Sequence, residues 1–259
     1  MGGYTNEKHS FYEKDCGFTS FVAISIGFVM ESRVVKAEKS FVFSELEDEV
    51  LGGSDMSHET RLPNWMTVNW KATADKIMIY VTNTGLDAVD QFKGNVRVTN
   101  GETVAFSTYS IKAFETRTIV VYCSMKKCYE DINVDYYAID GGDQFGSGIS
   151  HGHREIPTYL LALGLRGTFS TPYDSINYHF DKHGLQIAAL DIVTYASAAA
   201  RYQYTVMTDV ATLSQQQLNN KYTIVISFGA TMAKKYKNKI TKEYAILADG
   251  TFKILSFGK

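Results

Sequence analysis

Two histidines and a lysine are close together in the stretch His179-Phe-Asp-Lys182-His183-Gly184. If this stretch is helical, the spacing of i, i+3 and i+4 places the three side chains on one face of the helix. Two imidazoles can exchange protons near neutral pH, and a lysine ammonium can hold a phosphate. The residue types and their spacing therefore predict acid–base chemistry of the kind that cleaves RNA without a metal.

Such cleavage requires a base for the 2′-hydroxyl, an acid for the leaving oxygen, and positive charge beside the phosphorane. We expect His183 to be the base or the acid and Lys182 to contact the phosphate, with His179 beside them. A hydroxyl group on a facing strand would orient the phosphate, and Ser256 and Thr231 are the candidates. On spacing alone, a solvated helix face is the alternative interpretation.

The residues around this stretch predict the elements that would position it. Thr171-Pro172-Tyr-Asp174-Ser175 is typical of a helix start, and Gly184 suits a helix end. We predict helices over about 175–183 and 190–207, followed by strands over 222–228, 243–247 and 252–257. Asp249-Gly250 is the turn between the last two strands. Two helices before a small antiparallel sheet make residues 171–259 an α+β module.

Residues 38–142 are predicted to be all-β. Apolar residues alternate with polar ones, as at Met66, Val68 and Trp70, and turn signals such as Asn100-Gly101 separate the runs. Short strands without a helical period between them predict an antiparallel β-sandwich. The predicted strands cover 41–46, 65–72, 76–82, 95–99, 103–111, 116–123 and 132–139.

Glycines and short polar residues are concentrated after this region. They predict a flexible glycine-rich linker and connector over 143–170. His151 and His153 fall in it, but a mobile loop lacks the fixed geometry that a metal site needs. We therefore expect neither a metal nor a cofactor.

The N-terminus has the pattern of an export signal. An apolar run over 17–30 is followed by Val35-Lys36-Ala37, which predicts a signal peptide over 1–37 cut after Ala37. The run is shorter than the roughly 20 apolar residues that a stable membrane span needs. We expect a secreted or cell-surface protein with no stable membrane span after signal removal; a buried helix or strand is the alternative.

Two cysteines remain after such a cleavage, Cys123 and Cys128. In an oxidising compartment they are predicted to close a small disulfide loop. Two reduced, half-buried thiols are the alternative.

The charge of the chain is unevenly distributed. Residues 171–259 carry ten Lys/Arg against six Asp/Glu, whereas the residues before them carry 16 against 22. A basic C-terminal part predicts an anionic partner. Its lysines and tyrosines suit RNA backbone contacts and base stacking, although an exposed hairpin is the alternative. The predicted RNA-binding residues are Lys234, Lys235, Tyr236, Lys237, Lys239 and Tyr244.

Three segments of the C-terminal part resemble the barnase, EndoU, colicin D and RelE group of small ribonucleases, and in particular the toxin modules of bacterial secreted proteins. They are HFDKHG, the following helix with Tyr195 and Ala199, and TKEYAILADGTFKILSFGK. The resemblance covers about 175–259 and implies that Lys182 and His183 are the catalytic helix pair.

The resemblance further implies RNA, including tRNA, as the partner rather than DNA, and a neutralising immunity protein. The middle strand departs from the group because it lacks an arginine and offers Lys221 and a lysine-rich run instead. Partners of the helix pair are to be sought at His179, Ser227, Thr231, Glu243, Tyr244 and Ser256.

VTNTGLDAVDQFKGNVRV resembles the immunoglobulin-like modules of bacterial secreted and surface proteins, over about 64–142. Such modules are mostly spacers or binding platforms. The alternative function is therefore a secreted or cell-surface binding or adhesion protein whose sandwich carries the function and whose C-terminal module is non-catalytic. An enzyme acting on polysaccharide ranks behind it, because no carboxylate pair has the spacing that glycoside hydrolysis requires.

Overall fold

The computed structural model describes residues 57–227 and 232–259, which form twelve strands and four α-helices. The predicted signal peptide (1–37) and the first predicted strand (41–46) lie outside the described residues. Eight strands come first, in two antiparallel sheets; helices and a four-stranded antiparallel sheet follow. Among the described residues, no helix combines the length and the apolar composition needed to cross a membrane.

The first eight strands match most of the predicted positions. They are β1 (Ser57–Thr60), β2 (Met66–Ala72), β3 (Lys76–Asn83), β4 (Val89–Val98), β5 (Thr103–Ile111), β6 (Thr116–Tyr122), β7 (Tyr129–Asp140) and β8 (Asp143–Glu155). Strand β5 is as predicted, and β2, β3, β6 and β7 differ from the prediction at their ends. Strand β4 begins six residues before its predicted start, and β1 and β8 were not predicted.

The remaining elements form the C-terminal part. Both predicted helices are present, each longer than expected. The elements are α1 (Thr158–Leu163), α2 (Pro172–His183), a 3₁₀ turn (Leu185–Ile187), α3 (Ile192–Thr212), α4 (Gln215–Lys221), β9 (Tyr222–Ser227), β10 (Ala233–Asn238), β11 (Tyr244–Ala248) and β12 (Ile254–Gly258).

The two N-terminal sheets enclose one hydrophobic core. One has the strand order β1-β8-β7-β4-β5 and the other β2-β3-β6. In β2 and β3, and along most of β7, every second residue is buried, because successive side chains of a strand point to opposite faces. Thus Ile77 and Ile79 of β3 pack in the same core as Phe92 of β4 and Ile132 of β7. The predicted antiparallel all-β architecture is confirmed at this level.

The predicted flexible linker is wrong over its first half. Residues 143–155 form β8, which pairs with β7 along its whole length. Its glycines make room for a core ring: a Cβ at Gly148 would lie 2.6 Å from the Tyr136 ring. The turn into β8 uses Gly141 and Gly142 at positive φ, which glycine adopts without strain. The glycines of this segment therefore allow close packing and a tight hairpin turn, and they do not make the segment a flexible linker.

The predicted disulfide is also wrong, because Cys123 and Cys128 are free and buried. Their surroundings differ: Cys123 Sγ lies 3.3 Å from Oε2 of Glu102, whereas the Cys128 backbone N–H donates to Oδ1 of Asn177 on α2. Burial raises the pKa of the Cys123 thiol to about 11 and that of Cys128 to about 12. Both are therefore unreactive thiols at neutral pH.

The C-terminal sheet has the strand order β12-β11-β10-β9. Tyr195 and Tyr202 of α3 pack on Leu247 of β11 and Phe257 of β12, so one face of the sheet is covered by this helix. The lysine-rich run, for which an exposed hairpin was the alternative interpretation, forms strand β10, a central strand of the sheet. The opposite face of the sheet points away from α3. It carries the polar side chains of the candidate active site, among them Lys235, Tyr244 and Ser256.

Candidate active site

Helix α2 ends at His183 as predicted and begins at Pro172, three residues before its predicted start. Thr171 is its N-cap, and the side chains of Thr171 and Asp174 each accept a hydrogen bond from the other residue's backbone N–H. This capping box satisfies amides that have no partner inside the helix. The Gly184 N–H donates to Phe180 O, and a 3₁₀ turn follows.

The two histidines of α2 lie beside each other at its C-terminal end. The rings of His179 and His183 are 6.0 Å apart with planes 10° from parallel. Lys182 is exposed, and its Nζ lies 5.6 Å from the centre of the Tyr178 ring. The helix therefore brings the histidines together and directs the lysine to a neighbouring aromatic surface.

The imidazole of His183 has a partner at each nitrogen. Nδ1 lies 3.0 Å from Oε1 of Gln186, and Nε2 lies 3.3 Å from the hydroxyl of Tyr244 on β11. An amide oxygen only accepts, so in this arrangement Nδ1 carries a proton and the lone pair of neutral His183 is at Nε2, toward the tyrosine. The side chain is buried, with 7% of its surface exposed. This is a histidine held in one tautomer with its basic nitrogen facing the sheet.

A glycine allows this close approach between helix and sheet. A Cβ at Gly258 of β12 would lie 2.9 Å from Cγ of His183 and 3.2 Å from the Tyr244 hydroxyl. Gly258 is paired with Tyr244 in the β11–β12 register. The ring of His183 thus packs over a backbone position that has no room for a side chain.

His179 faces the adjacent position on β12. Its Nδ1 lies 3.3 Å from Oγ of Ser256. Burial, and after it the nearby His183 and Lys182, lower the pKa of the His179 imidazole from 6.5 to about 4, while a hydrogen bond to the Leu255 backbone acts in the opposite direction. His179 is therefore neutral at neutral pH, and its contact with Ser256 is a hydrogen bond between uncharged groups.

Two lysines of β10 lie on the same sheet face as these hydroxyl groups. Lys235 is in register with Ile246 and Ser256, and Lys237 with Tyr244 and Gly258, so these side chains share a face. The Nζ of Lys235 lies 3.9 Å from the centre of the Tyr244 ring. A cation there stabilises negative charge that develops on or near the tyrosine oxygen.

The other predicted RNA-binding residues have different surroundings. Tyr236 is 5% exposed and packs in the core, so the prediction that its ring stacks on bases is wrong. Lys234 pairs with Asp249 at 2.9 Å, and Lys239 donates to the Asn219 carbonyl at 2.6 Å. Thr231 lies outside the described residues.

A cavity next to the histidines is small. It is lined by His179, Ser256, Tyr195, Ser175 and apolar residues and has a volume of about 40 Å³. That volume can hold a water molecule but is too small for a nucleotide. A substrate of any length would therefore have to reach Tyr244 and His183 from the open face of the sheet.

Histidines on the five-stranded sheet do not join this cluster. His151 is hydrogen-bonded to Asn133, and His153 stacks on Tyr129 with 5.1 Å between ring centres. Among the described residues, no group of three or more His, Cys, Asp or Glu side chains is arranged to hold a metal ion.

Comparison with known proteins gives little further information. No family model matches the sequence, and no curated protein matches it. One solved structure, the X-ray structure of Northeast Structural Genomics Consortium target SoR45, aligns with 43% of this chain and 90% of its own at 11% identity and a TM-score of 0.25.

Sequence reasoning missed two residues of the site, Gln186 and Gly258. Gln186 follows His183 by three residues, and this spacing could have identified it as a ring partner. Gly258 carries no signal in the sequence, since its role depends on which helix packs over it. Tyr244 was predicted as an RNA contact, and the structure places its hydroxyl 3.3 Å from His183 Nε2.

Proposed function

We propose that residues 171–259 form a ribonuclease-like module that cleaves RNA without a metal, by general acid–base catalysis. The observation that carries the proposal is the ring of His183, whose Nδ1 is bonded to Gln186 and whose Nε2 faces the Tyr244 hydroxyl. A histidine in one tautomer, next to an ionisable hydroxyl, suits proton transfer near neutral pH.

In this proposal His183 takes the proton of the 2′-hydroxyl at Nε2. The freed 2′-oxygen attacks the adjacent phosphorus, the bond to the 5′-oxygen breaks, and a 2′,3′-cyclic phosphate remains. The Tyr244 hydroxyl is close enough to Nε2 to exchange a proton with it, so it is the candidate acid for the leaving 5′-oxygen.

Positive charge and hydroxyl groups on the sheet face support the same proposal. Lys235 lies against the Tyr244 ring, and Ser256 lies beside His179 on the neighbouring strand. A lysine there would stabilise the charge of the phosphorane, and a hydroxyl would orient it. Lys182 at the end of α2 is exposed and would contact a flanking phosphate.

The module would have partners, a route of export and a supporting domain. The excess of Lys and Arg in residues 171–259 suits RNA, including tRNA, and a neutralising partner protein would have to cover the same basic face. The apolar run over 17–30 keeps secretion as part of the proposal. The two N-terminal sheets, with their shared core and short hairpins, are compatible with an immunoglobulin-like sandwich that presents the module.

The test is cleavage of tRNA and rRNA by the full chain in EDTA. We expect cleavage by the wild type and its loss in His183→Ala. His151→Ala, a histidine of the five-stranded sheet far from this cluster in sequence, is the matched control and should cleave normally. Equal cleavage by the wild type and His183→Ala would overturn the assignment of His183, and no cleavage by a folded wild type would overturn the function.

A further inference from the structure

A second candidate site lies at one end of the two N-terminal sheets. A cavity of about 510 Å³ is bordered by Trp65, by the loop after β3, and by the hairpin turn between β7 and β8. Its volume is in the range of small-molecule sites. None of its lining residues belongs to the proposed ribonuclease module, so a function here would be separate from RNA cleavage.

The cavity has an aromatic lining. The rings of Trp65 and Phe145 stack with 5.7 Å between their centres and 26° between their planes, and both are half-buried. A Cβ at Gly85 would lie 3.0 Å from Cε3 of Trp65, so the glycine makes room for the indole. Leu86 is 83% exposed at the rim. This lining favours a ligand with methyl or methylene groups.

The charged side chains that line the cavity are all acidic. They are Asp87, Asp140 and Asp143, and the lining includes no lysine or arginine. All three residues are exposed, and within the described residues their carboxylates have no ion pair and accept no hydrogen bond from the protein. A carboxylate only accepts, so the lining is complementary to a cation.

The register of the hairpin adds an independent observation. Asp140 and Asp143 are directly opposite each other, on either side of the Gly141-Gly142 turn. Like charges directly opposite on neighbouring strands destabilise a sheet. The turn itself is fixed by a hydrogen bond from the Gly141 N–H to Asp90, at 2.9 Å. A bound cation would relieve the repulsion between the two carboxylates.

We propose that this cavity binds an organic cation of the quaternary ammonium class. The aromatic rings attract the diffuse charge of such a group, and its methyl groups fill apolar space that a hydrated metal ion would leave empty. The three carboxylates neutralise its charge. The site thus combines the two features by which proteins recognise quaternary ammonium ligands, an aromatic wall and nearby negative charge.

The test is titration of the full chain with choline chloride, followed by tryptophan fluorescence. The chain has two tryptophans, and Trp70 is buried with its Nε1 donating to Ser150, so a change in emission reports on Trp65. We expect a saturable change with a dissociation constant on the order of 1 mM, corresponding to about 4 kcal/mol. Sodium chloride controls for ionic strength. The neutral isostere 3,3-dimethylbutan-1-ol should bind about tenfold more weakly, since it lacks the charge.

Variants of the lining carboxylates distinguish choline binding in this cavity from nonspecific binding of choline to acidic surface groups. Asp140→Asn should weaken choline binding several-fold and raise the thermal stability of the apo protein, because it removes one of two opposed charges. Asp143→Asn is the second variant, and Asp249→Asn in the C-terminal sheet is the control that should bind as the wild type does. No saturable response to choline, equal binding of the neutral isostere, or a response only to neutral sugars would each overturn the proposal.

Discussion

Three groups fix the ring of His183: Gln186 at Nδ1, the Tyr244 hydroxyl at Nε2, and the backbone of Gly258 beneath it. A solvated histidine on a helix surface has no such constraint. The sequence spacing that first singled out His183 describes its own helix only. Tyr244 and Ser256 come from strands more than sixty residues further along the chain; they were candidates from the resemblance and from the need for hydroxyl groups, and the spacing in α2 could not show which nitrogen each would face.

Gln186 is a positioning residue in this account, since it holds the Nδ1 proton and leaves Nε2 basic. We expect Gln186→Leu to lower the rate of RNA cleavage and to shift its pH profile. The loss should be smaller than the factor of roughly 100 or more expected from removing the histidine itself. Gln186→Glu, which keeps an acceptor, should retain more activity than the leucine variant, and Gln216→Leu is the control. A pH profile identical to that of the wild type in Gln186→Leu would contradict the role.

His179 should make the fold sensitive to acid. Its pKa is lowered from 6.5 to about 4 in the folded protein, mainly by burial. The unfolded chain therefore binds more protons between these two values, and stability falls as the pH drops through this range. We expect the free energy of unfolding in urea to decrease from pH 7 to pH 4, and to decrease less in His179→Gln. The same pH dependence in both proteins would show that His179 is not responsible.

At the scale of elements, the residue pattern was sufficient to predict a strand or helix where one of its faces is buried and the other is exposed. Strand β2 and helix α2 were predicted because alternating apolar residues in the first and a cap in the second are local signals. Strands β8 and β10 were missed because glycines in one and lysines in the other hide the pattern. In β8, Gly148 faces the Tyr136 ring of the neighbouring strand. The sequence around Gly148 does not show this contact, because it depends on how the two strands pair.

The contact between α2 and β12 depends on a residue without a side chain. We expect Gly258→Ala to push the His183 ring away from Tyr244, because the new Cβ would lie 2.9 Å from Cγ of the ring. RNA cleavage should fall more than thermal stability does. Gly164→Ala is the matched control, since a Cβ there has its nearest neighbour at 3.8 Å and should leave cleavage unchanged. Full activity in a folded Gly258→Ala protein would contradict the account of this contact.

At the scale of the whole molecule, one loop connects the two sheets at the N-terminal side to the helices. Residues 124–128 lie between β6 and β7, and the Met125 carbonyl accepts from the Ile192 N–H at the start of α3. The buried Glu130 fixes the conformation of this loop, because its Oε1 accepts hydrogen bonds from the backbone N–H groups of Lys126 and Lys127. The same loop also contacts α2, which carries the histidines: the Cys128 N–H donates to Oδ1 of Asn177, and Lys127 pairs with Asp181 at 2.7 Å. Helix α2 is thus anchored partly by the N-terminal part of the chain.

Arg154 and Glu130 form the buried ion pair at the base of this loop, 2.7 Å apart, with neither side chain exposed. Arg154 also donates to the Thr73 and Cys123 carbonyls. Arg154→Met would leave a buried carboxylate without its partner, which costs about 3–5 kcal/mol of unfolding free energy.

Denaturant unfolding measures this cost. Lys234→Met is the matched control, because its partner Asp249 is at the surface and exposed pairs contribute at most about 1 kcal/mol. Equal losses in the two variants would mean that the buried pair has no special role.

The most direct test of the central claim is the chemistry of the ends that the full chain leaves on RNA in EDTA. The account predicts 2′,3′-cyclic phosphate and 5′-hydroxyl ends, no cleavage of DNA of the same sequence, and loss of both products in His183→Ala. Ends with 3′-hydroxyl and 5′-phosphate groups, or cleavage of the DNA as well, would contradict it, because neither outcome uses the 2′-hydroxyl as the nucleophile.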